Sequence, residues 1–598
     1  MQQPGNRPRR PLRAANRPRA SFEARRTGEI RPLAWGLAAL AFGVIALAPW
    51  PALAGPGVAN RLAGADAQGP ATESVTAIYH NPAMLGSLPG LHFQTTLRGG
   101  VDHLSVRRFG IDTDGTPTKD FGSWAQVANP AFDYFVGISF LLDPIAIGAA
   151  VHTFDSRYRI YSDPSLRYHM AGEDDLGCTI DRSRVCPDLR KGGNLEMRTD
   201  LDVSLAWNAL DFMSVGATLH VPRSRTYFAR DVDSVLTGVS EGAGCDPASA
   251  SVENPICAER LSFRGSTRLR WFGLQPNGSR LDIALTLGVA FVIRNKLTIG
   301  IRYRTQPLLN QGRLTLNGKA AVCVPNSAAE QRSDLPSCDT AGAIDATLTE
   351  VIPRELAIGF ATGFGNWQLD TNLYWIDRCP GFDPSGACSG KDGRQLRLTG
   401  LDQDASTLPD STIYRGRADI FGAELWTRYR MDDAIGANLP WNKVLCSGKE
   451  ASIDPSSRRR ARCIPRVDLL LGAGFNSPGV KPGALTAAAN DGWTVMTSFG
   501  TSFNLPTRNG TWSLVPAYAL DLMVPTRVGP GGASPAFDPA AGIAFEQGGA
   551  DLNSSSAATV LQGRALPTNA GVYTGAVHSV LFALRWSERG FGSRDPRR

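Results

Sequence analysis

Strict alternation of apolar and polar side chains recurs along this chain and constrains its fold more than any other feature. In Leu195–Trp207, LEMRTDLDVSLAW, the odd positions read Leu, Met, Thr, Leu, Val, Leu and Trp, whereas the even positions read Glu, Arg, Asp, Asp, Ser and Ala. Successive side chains of a β-strand point to opposite faces, so such a segment is typical of a strand between an apolar and a polar medium. The sequence therefore predicts an all-β protein.

The same alternation is present in segments 297–304, 367–376 and 512–522. A soluble β-sandwich turns the polar face of such strands to solvent, whereas a membrane barrel turns it to the lumen. Alternation alone leaves both folds open.

The lengths of the connections favour the barrel. Proposed strands begin near 91, 131, 145, 195, 213, 281, 296, 349, 366, 413, 466, 492, 511 and 572. The connections at 142–144, 208–212, 294–295 and 365–366 are tight, and the alternate ones are long. Short turns at one end, long loops at the other and an even strand number indicate a transmembrane antiparallel β-barrel of about 14 strands.

The N-terminal region predicts export. Residues 1–54 carry nine arginines and two glutamates, a net of +7, which equals the formal net charge of the whole chain. The rest is close to neutral, so the basic balance does not indicate nucleic-acid binding. The apolar stretch Leu33–Leu47 precedes Ala52-Leu53-Ala54, and together they predict a signal peptide at 1–54 that is cleaved before Gly55. A membrane anchor is the alternative, which the shortness of the stretch disfavours.

Ten cysteines fall into five local couples, each within a polar segment. An even count paired in this way predicts disulfides that each close one loop in an oxidising compartment. Metal binding is the alternative, but there is no C-x-x-C spacing and no matching histidine motif. The predicted couples are Cys178 with Cys186, Cys245 with Cys257, Cys323 with Cys338, Cys379 with Cys388, and Cys446 with Cys463. Four couples lie in long loops of one parity, whereas the last lies in a connection on the short-turn side, which we interpret as a disulfide-closed insertion rather than a miscounted strand.

A short turn precedes the first predicted strand. Asn81-Pro82-Ala83 lies in ESVTAIYHNPAML, and Asn-Pro is an ordinary turn dipeptide. The same triplet recurs at Asn129-Pro130-Ala131, so the three letters alone identify nothing.

Both ends of the mature chain resemble one family. The segment Gly57–Leu85, which leads from a Gly/Ala-rich stretch through Ser and Thr residues into Asn-Pro-Ala, resembles the start of FadL-family outer-membrane transport proteins. Gly571–Trp586, GVYTGAVHSVLFALRW, resembles the family's last strand, and the strand count above follows this template. In this chain Glu73-Ser74 replaces the family's usual Asp, and a polar tail follows Trp586.

The resemblance implies an organisation and a function. It divides the mature chain into an N-terminal hatch at 55–90 inside the lumen, a barrel at 91–586 with long extracellular loops, and a C-terminal tail at 587–598. It implies uptake of long-chain fatty acids or aromatic hydrocarbons, with the hatch anchored by Asn81-Pro82-Ala83. It also implies sideways release at a strand irregularity, for which Gly148 is the expected position unless this glycine only relieves barrel packing.

Two arginines are candidates for binding a ligand carboxylate. Arg302 and Arg304 face the predicted lumen. Glu196, Asp200 and Asp202 do so as well, so the arginines either bind ligand or pair with these carboxylates across the barrel.

The expected partners follow from the fold and the resemblance. They are outer-membrane lipid and lipopolysaccharide, a hydrophobic small molecule and the barrel assembly machinery, with a monomer in the bacterial outer membrane. We expect no cofactor, no metal and no catalytic residue. A general porin or structural barrel is one alternative. An outer-membrane lipid hydrolase is another, although no G-x-S-x-G occurs and neither His152 nor His578 has a serine at motif spacing.

Overall fold

Fourteen antiparallel strands form the wall of the molecule in the computed structural model. Five of these strands each consist of two segments that follow one another along the strand. The strands are β1 (Gly90–Arg108), β2 (Ala125–Leu142), β3 (Ile145–Ile160), β4 (Gly193–Leu210), β5 (Met213–Asp233), β6 (Ala258–Ser266 and Ala284–Ile293), β7 (Leu297–Arg304 and Arg313–Cys323), β8 (Ile344–Val351 and Arg354–Phe364), β9 (Trp367–Asp377 and Arg394–Thr399), β10 (Ser411–Tyr414 and Ile420–Arg430), β11 (Arg466–Asn476), β12 (Thr494–Pro506), β13 (Gly510–Val528) and β14 (Gly571–Glu588).

The structure describes a subset of the chain. It covers residues 69–108, 110–111, 117–118, 125–160, 193–233, 258–267, 283–293, 297–308, 313–323, 343–378, 394–400, 411–414, 419–431, 466–480, 492–507, 510–528 and 571–588. The predicted signal peptide at 1–54 lies outside these residues.

The five predicted disulfides stay predictions. Nine of the ten cysteines lie outside the described residues, and the tenth, Cys323, ends β7 without a described partner position. The nine are Cys178, Cys186, Cys245, Cys257, Cys338, Cys379, Cys388, Cys446 and Cys463.

The wall is closed by its first and last strands. β1 pairs with β14 without interruption from His92 opposite Ser587 to Arg108 opposite Gly571. The last strand therefore continues two residues beyond Trp586, where the barrel was expected to end. The prediction of about fourteen strands is confirmed. Three strands begin earlier than predicted, at 125, 258 and 344, because their long-loop ends lack the clear alternation on which the prediction depended.

The connection that contains Cys446 and Cys463 begins and ends at the short-turn end. β10 and β11 are neighbours in the wall. The Arg430 N–H donates to the Asn366 carbonyl in the tight β8–β9 turn at 2.8 Å, and the Met431 N–H donates to the Val467 carbonyl at 3.0 Å. Both ends of the connection therefore lie on the short-turn side, and the strands here are not miscounted. The disulfide expected to close this insertion stays a prediction.

The strands are inside-out relative to a soluble sandwich. On β4 the even positions Asp200, Asp202 and Ser204 are buried, whereas Leu205 and Trp207 are 55% and 52% exposed. The same outward apolar exposure is found around the ring, for example at Leu471 and Val580. Apolar side chains outside and charged ones inside suit a wall with lipid outside and a lumen within. The alternative of a soluble sandwich is therefore excluded.

The chain enters the barrel before β1. Residues 69–88, called here the inner segment, contain a helical turn, α1 (Ala77–His80), and a 3-10 helix (Pro82–Ser87). Ile78, Tyr79 and Leu85 are completely buried. They pack with Phe135 and with small inward side chains of the neighbouring strands. Among the described residues, no helix has the length and apolar character needed to cross a membrane.

Candidate functional site

Asn81 fixes the turn between the two helical pieces of the inner segment. Its side-chain oxygen accepts from the Ala83 N–H at 3.2 Å and so caps the 3-10 helix. Its Nδ2 donates to the Pro70 carbonyl at 2.6 Å and to the Val289 carbonyl of β6 at 3.1 Å. One buried amide therefore holds together the start of the inner segment, its turn and the wall.

The second Asn-Pro-Ala triplet has a different structure. Asn129, Pro130 and Ala131 lie in β2, paired with Asp102, Val101 and Gly100 of β1. The sequence interpretation that the triplet by itself carries little information is confirmed. Its surroundings decide between a buried turn and a strand.

A row of inward glycines forms a cradle for the turn. A Cβ added to Gly216 on β5 would lie 2.6 Å from the Ala83 nitrogen, and one added to Gly288 on β6 would lie 1.9 Å from the Asn81 side-chain oxygen. A Cβ on Gly300 of β7 would lie 1.9 Å from the Pro70 carbonyl oxygen. Approaches as close as these leave no room for a side chain at the three positions. Sequence reasoning missed this cradle, although glycine at an inward position of three successive strands was a visible signal.

The position of Gly148 fits the second of the two roles left open by the sequence, which is to relieve packing inside the barrel. This glycine lies in a regular stretch of β3, opposite Ser139 of β2 and Ser204 of β4, and therefore marks no strand irregularity. A Cβ there would lie 2.8 Å from Ile78 and 3.0 Å from Leu85. The glycine makes room for the inner segment.

The strand pairing in this part of the wall is interrupted further along β3. The register of β3 against β4 shifts between Phe154 and Arg157. Within the described residues, the β2–β3 ladder runs from Leu142 opposite Ile145 to Phe135 opposite His152 and then stops. The Tyr134 N–H donates instead to the Thr153 hydroxyl at 2.9 Å. Beyond this point β2 remains paired with β1, and β3 with β4.

Arg302 and Arg304 come together beside Tyr79, and both already pair with carboxylates. Arg304 Nη2 donates to Asp200 across the lumen at 2.7 Å, and Arg302 Nη2 donates to Glu355 on the next strand at 2.7 Å. The guanidinium carbon of Arg304 lies 5.0 Å from the Tyr79 ring centroid, and that of Arg302 lies 5.5 Å from it. Of the two interpretations left open by the sequence, the described geometry fits pairing with carboxylates.

Histidines complete this buried network on the other side of Tyr79. His152 Nε2 and His220 Nδ1 lie 2.8 and 2.7 Å from the two oxygens of Asp202. The Tyr79 ring makes edge contacts with the rings of His80 and His152, at centroid distances of 5.2 and 5.0 Å. Tyr79 is therefore surrounded by ionisable side chains, most of which are paired with one another.

The environment of the inner segment keeps Tyr79 and His80 neutral. Burial, followed by the negative charge of Glu355, raises the pKa of Tyr79 to about 12. Burial, followed by the positive charge of Arg302 and by His152, holds the pKa of His80 well below its ordinary value. A docked inner segment therefore carries no charge at these two positions at neutral pH.

The network also contains one cluster with the side chains of a metal site and one with the order of a catalytic triad. His152, Asp200 and Asp202 place possible metal-ligand atoms within 4.8 Å of one another, but those oxygens already accept from Arg304 and contact the histidines. His220 bridges Asp202 to the Thr286 hydroxyl, 2.6 Å from Nε2, which is the order of orienting group, base and hydroxyl. All of these side chains except the arginine are completely buried.

Comparison with known proteins bears on the fold. No family model and no curated protein matches this sequence. A crystal structure of a Pseudomonas aeruginosa FadL homologue matches at 12% identity and a TM-score of 0.56, covering 90% of this chain and 99% of that one. The P. putida toluene transporter TodX matches at 13% identity and a TM-score of 0.49, covering 90% and 100%. The Ralstonia pickettii toluene transporter TbuX matches at 13% identity and a TM-score of 0.47, covering 90% and 99%.

The resemblance read from the two ends of the sequence is thus matched by the fold of nearly the whole chain. The closed fourteen-stranded wall, the inside-out alternation and the likeness to the FadL homologue agree. The chain has the fold of the FadL-type outer-membrane transport proteins.

Proposed function

We propose that this protein is an outer-membrane channel for the uptake of hydrophobic compounds, with the inner segment as its hatch. The observation that carries the proposal is the docking of Asn81-Pro82-Ala83 in the glycine cradle of a closed, inside-out barrel. A segment docked in this way obstructs the lumen against water and ions. The signal peptide delivers the chain to the outer membrane, where it works as a monomer after insertion by the barrel assembly machinery.

The substrate class follows from the physical task and from the family resemblance. The resemblance at the two ends of the sequence implies long-chain fatty acids or aromatic hydrocarbons, and the FadL homologue shares the fold. Burial of an alkyl chain is favoured by about 0.8 kcal/mol per CH₂, so an apolar site can extract such a molecule from dilute solution. We propose these two classes as substrates. The substrate binds in the barrel, and displacement of the hatch opens the path.

The break in the β2–β3 ladder supports a sideways exit. Beyond Phe135 and His152 the two strands are held together at Tyr134 and Thr153 by a side-chain hydrogen bond. Separation of the strands there costs fewer backbone hydrogen bonds than anywhere in a continuous ladder. We therefore move the proposed exit from Gly148 to this position.

Two other functions are less well supported. A general porin keeps an open, water-filled lumen, whereas here Tyr79 and Asn81 of the inner segment are completely buried inside the barrel. A hydrolase needs access to its nucleophile, whereas Thr286 and His220 are completely buried beneath the inner segment. We therefore propose that the Thr286–His220–Asp202 chain is part of the docking network and that the protein is not an enzyme.

Replacement of Asn81 by Ala tests the proposed hatch. It leaves buried backbone groups without their partner, which costs about 1–3 kcal/mol for a group of this kind. We expect uptake of a radiolabelled long-chain fatty acid or of toluene to fall while the amount of folded barrel is unchanged. Asn129→Ala, in the other Asn-Pro-Ala triplet, is the matched control and should leave uptake normal.

Conductance gives the independent measurement. The intact protein in planar bilayers should conduct ions poorly, and a variant lacking residues 55–86 should show a large, steady conductance. A large conductance of the intact protein, or unchanged uptake by Asn81→Ala, would contradict the hatch.

A further inference from the structure

The outer face of β5, β6 and β7 changes character along the strands. On β5 the outward column contains Leu219, which is 38% exposed, and then the exposed Arg223 and Arg225. On β6 the apolar column with Leu287 is continued by the exposed Arg264. On β7 the column with Ile301 is continued by Lys319, whose side chain is 56% exposed. An aliphatic surface thus gives way to a cationic one on three adjacent strands.

The register places these basic side chains side by side. Lys319 lies directly opposite Arg264, and Arg225 lies opposite Ser266, two residues along the strand from Arg264. Side chains directly opposite one another have Cβ atoms about 4.5–5.5 Å apart, and like charges in that position are destabilising. We call Arg223, Arg225, Arg264 and Lys319 the cationic patch.

Protein carboxylates compensate little of this charge. Lys319 pairs with Asp345 of β8 at 3.0 Å, and that aspartate side chain is 84% exposed. Among the side chains that the structure describes, no carboxylate forms a salt bridge with Arg223, Arg225 or Arg264. Adjacent cations without a protein counter-charge require an anion from outside the protein.

The height of the patch on the barrel suggests the source of that anion. Arg223 lies ten residues beyond Met213, where β5 begins at the short-turn end. At about 3.3 Å per residue and a strand tilt of about 40°, that distance is about 25 Å along the barrel axis, which is the height of the outward apolar band. The patch therefore lies where the hydrocarbon of the outer leaflet ends and its headgroups begin.

From this position and charge we infer that the cationic patch binds the phosphate groups of a phosphorylated glycolipid in the outer leaflet, lipopolysaccharide in the outer membrane. Guanidinium groups bind phosphate oxygens in a bidentate manner, and the lysine adds a compact charge. The acyl chains of the same lipid lie against Leu219, Leu287 and Ile301 below. The inference rests on the barrel spanning the outer membrane and is independent of what it transports.

The test measures how much lipid A remains bound to each barrel. The full-length protein and a variant with all four patch residues changed to Gln are incubated with bis-phosphorylated lipid A in a neutral detergent and repurified, and bound lipid is counted by mass spectrometry. We expect the variant to retain lipid A at a level lower by a factor of roughly ten or more, because it lacks four positive charges that attract the lipid phosphates. Arg527→Gln is the matched control on β13, seven strands around the wall from β6, and should retain lipid A normally.

The comparison arms separate this site from its alternatives. Dephosphorylated lipid A should be retained poorly by the unchanged protein, and millimolar inorganic phosphate should not displace bound lipid A. Equal retention by the four-residue variant, equal retention of the dephosphorylated lipid, or displacement by inorganic phosphate would overturn the inference. If the four-residue variant fails to fold, two double variants replace it, one with Arg223 and Arg225 changed to Gln and one with Arg264 and Lys319 changed to Gln. Uptake of hydrophobic substrate should be normal in the folded variants, so failure here is distinct from failure of the proposed transport.

Discussion

The inner wall of this barrel has two arcs of opposite character. The strands from β2 to β9 contact the inner segment and bear the charged network around Tyr79, and we call them the packed arc. Strands β11, β13 and β14 instead bear a separate cluster of buried aliphatic side chains, and we call these strands the apolar arc. The cluster comprises Leu470, Val515, Ala517, Ala519, Leu581 and Ala583.

The difference between the arcs separates two tasks. Buried ion pairs and hydrogen bonds act over short distances and depend on every partner being present, so removal of one partner weakens the whole set. Such contacts suit a segment that is firmly docked or fully released. Aliphatic packing has no direction and is lost in proportion to the area exposed. We therefore expect substitutions in the packed arc to change gating and those in the apolar arc to change only the stability of the wall.

The largest effect is expected from Arg304→Met. This change leaves Asp200 without its partner from β7, and breaking a buried pair in this way costs about 3–5 kcal/mol. Arg198, whose Nε lies 3.1 Å from Asp200, should limit the loss to the lower part of that range. We expect a lower urea midpoint and, because Arg304 also contacts the Tyr79 ring, a raised conductance in bilayers.

Two controls sharpen this prediction. Leu581→Ala in the apolar arc should destabilise the barrel by about 2–5 kcal/mol while the conductance stays low. Lys319→Met removes a pair with Asp345 in which both side chains are more than half exposed, so its effect on stability should be below about 1 kcal/mol. If Leu581→Ala opened the channel as much as Arg304→Met, the division between the arcs would be wrong.

A series of glycine substitutions should give a graded and smaller response. Gly216→Ala places a Cβ against backbone atoms of Ala83, which cannot yield without displacing the turn. Gly148→Ala meets only the ends of the Ile78 and Leu85 side chains, which can rotate. Gly99→Ala has no atom within 4 Å of the added carbon and serves as the control. We expect conductance to fall in that order, from Gly216→Ala to the control, and an effect of Gly99→Ala equal to that of Gly216→Ala would contradict the cradle.

The sequence was sufficient to predict the wall and insufficient to predict what fills it. In Leu195–Trp207 alternation with period two is a local property, so the strand and its two faces are visible in the letters alone. The position of Asn81 against Val289 is a contact between residues 208 positions apart. No local pattern encodes such a contact, and the identical triplet at Asn129 forms a strand instead.

Two residues of the wall show how the surroundings decide a role. The sequence left Gly148 either as the marker of a gap, which the family resemblance implied, or as a residue that relieves barrel packing. Whether such a glycine interrupts strand pairing or makes room for a neighbour depends on what packs against it from inside the barrel, which here is Ile78. The earlier start of β2 was missed because its long-loop end lacks clear alternation, yet Pro130 fits within β2 opposite Val101 of β1. In both cases the three-dimensional environment of the residue decided its structural role.

The smallest predicted effect is a dependence of hatch docking on pH through His80. Docking holds its pKa well below the ordinary value of 6.5, because the ring is buried and faces Arg302 and His152, with the neutral Tyr79 ring beside it. The released segment therefore binds a proton more readily than the docked one. The contribution of His80 to docking is complete above pH 6.5 and is lost progressively as the pH falls below it. Bilayer conductance of the intact protein should rise as the pH is lowered through this window.

His80→Gln isolates this contribution from that of the other titratable groups. Glutamine keeps a polar side chain of similar length but does not titrate, so the variant should show a flatter rise of conductance between about pH 7 and about pH 5. The pH dependence that remains in the variant belongs to groups other than His80. An identical pH profile for the two proteins would exclude His80 from the gating of the hatch and would assign any acid response to the wall of the packed arc.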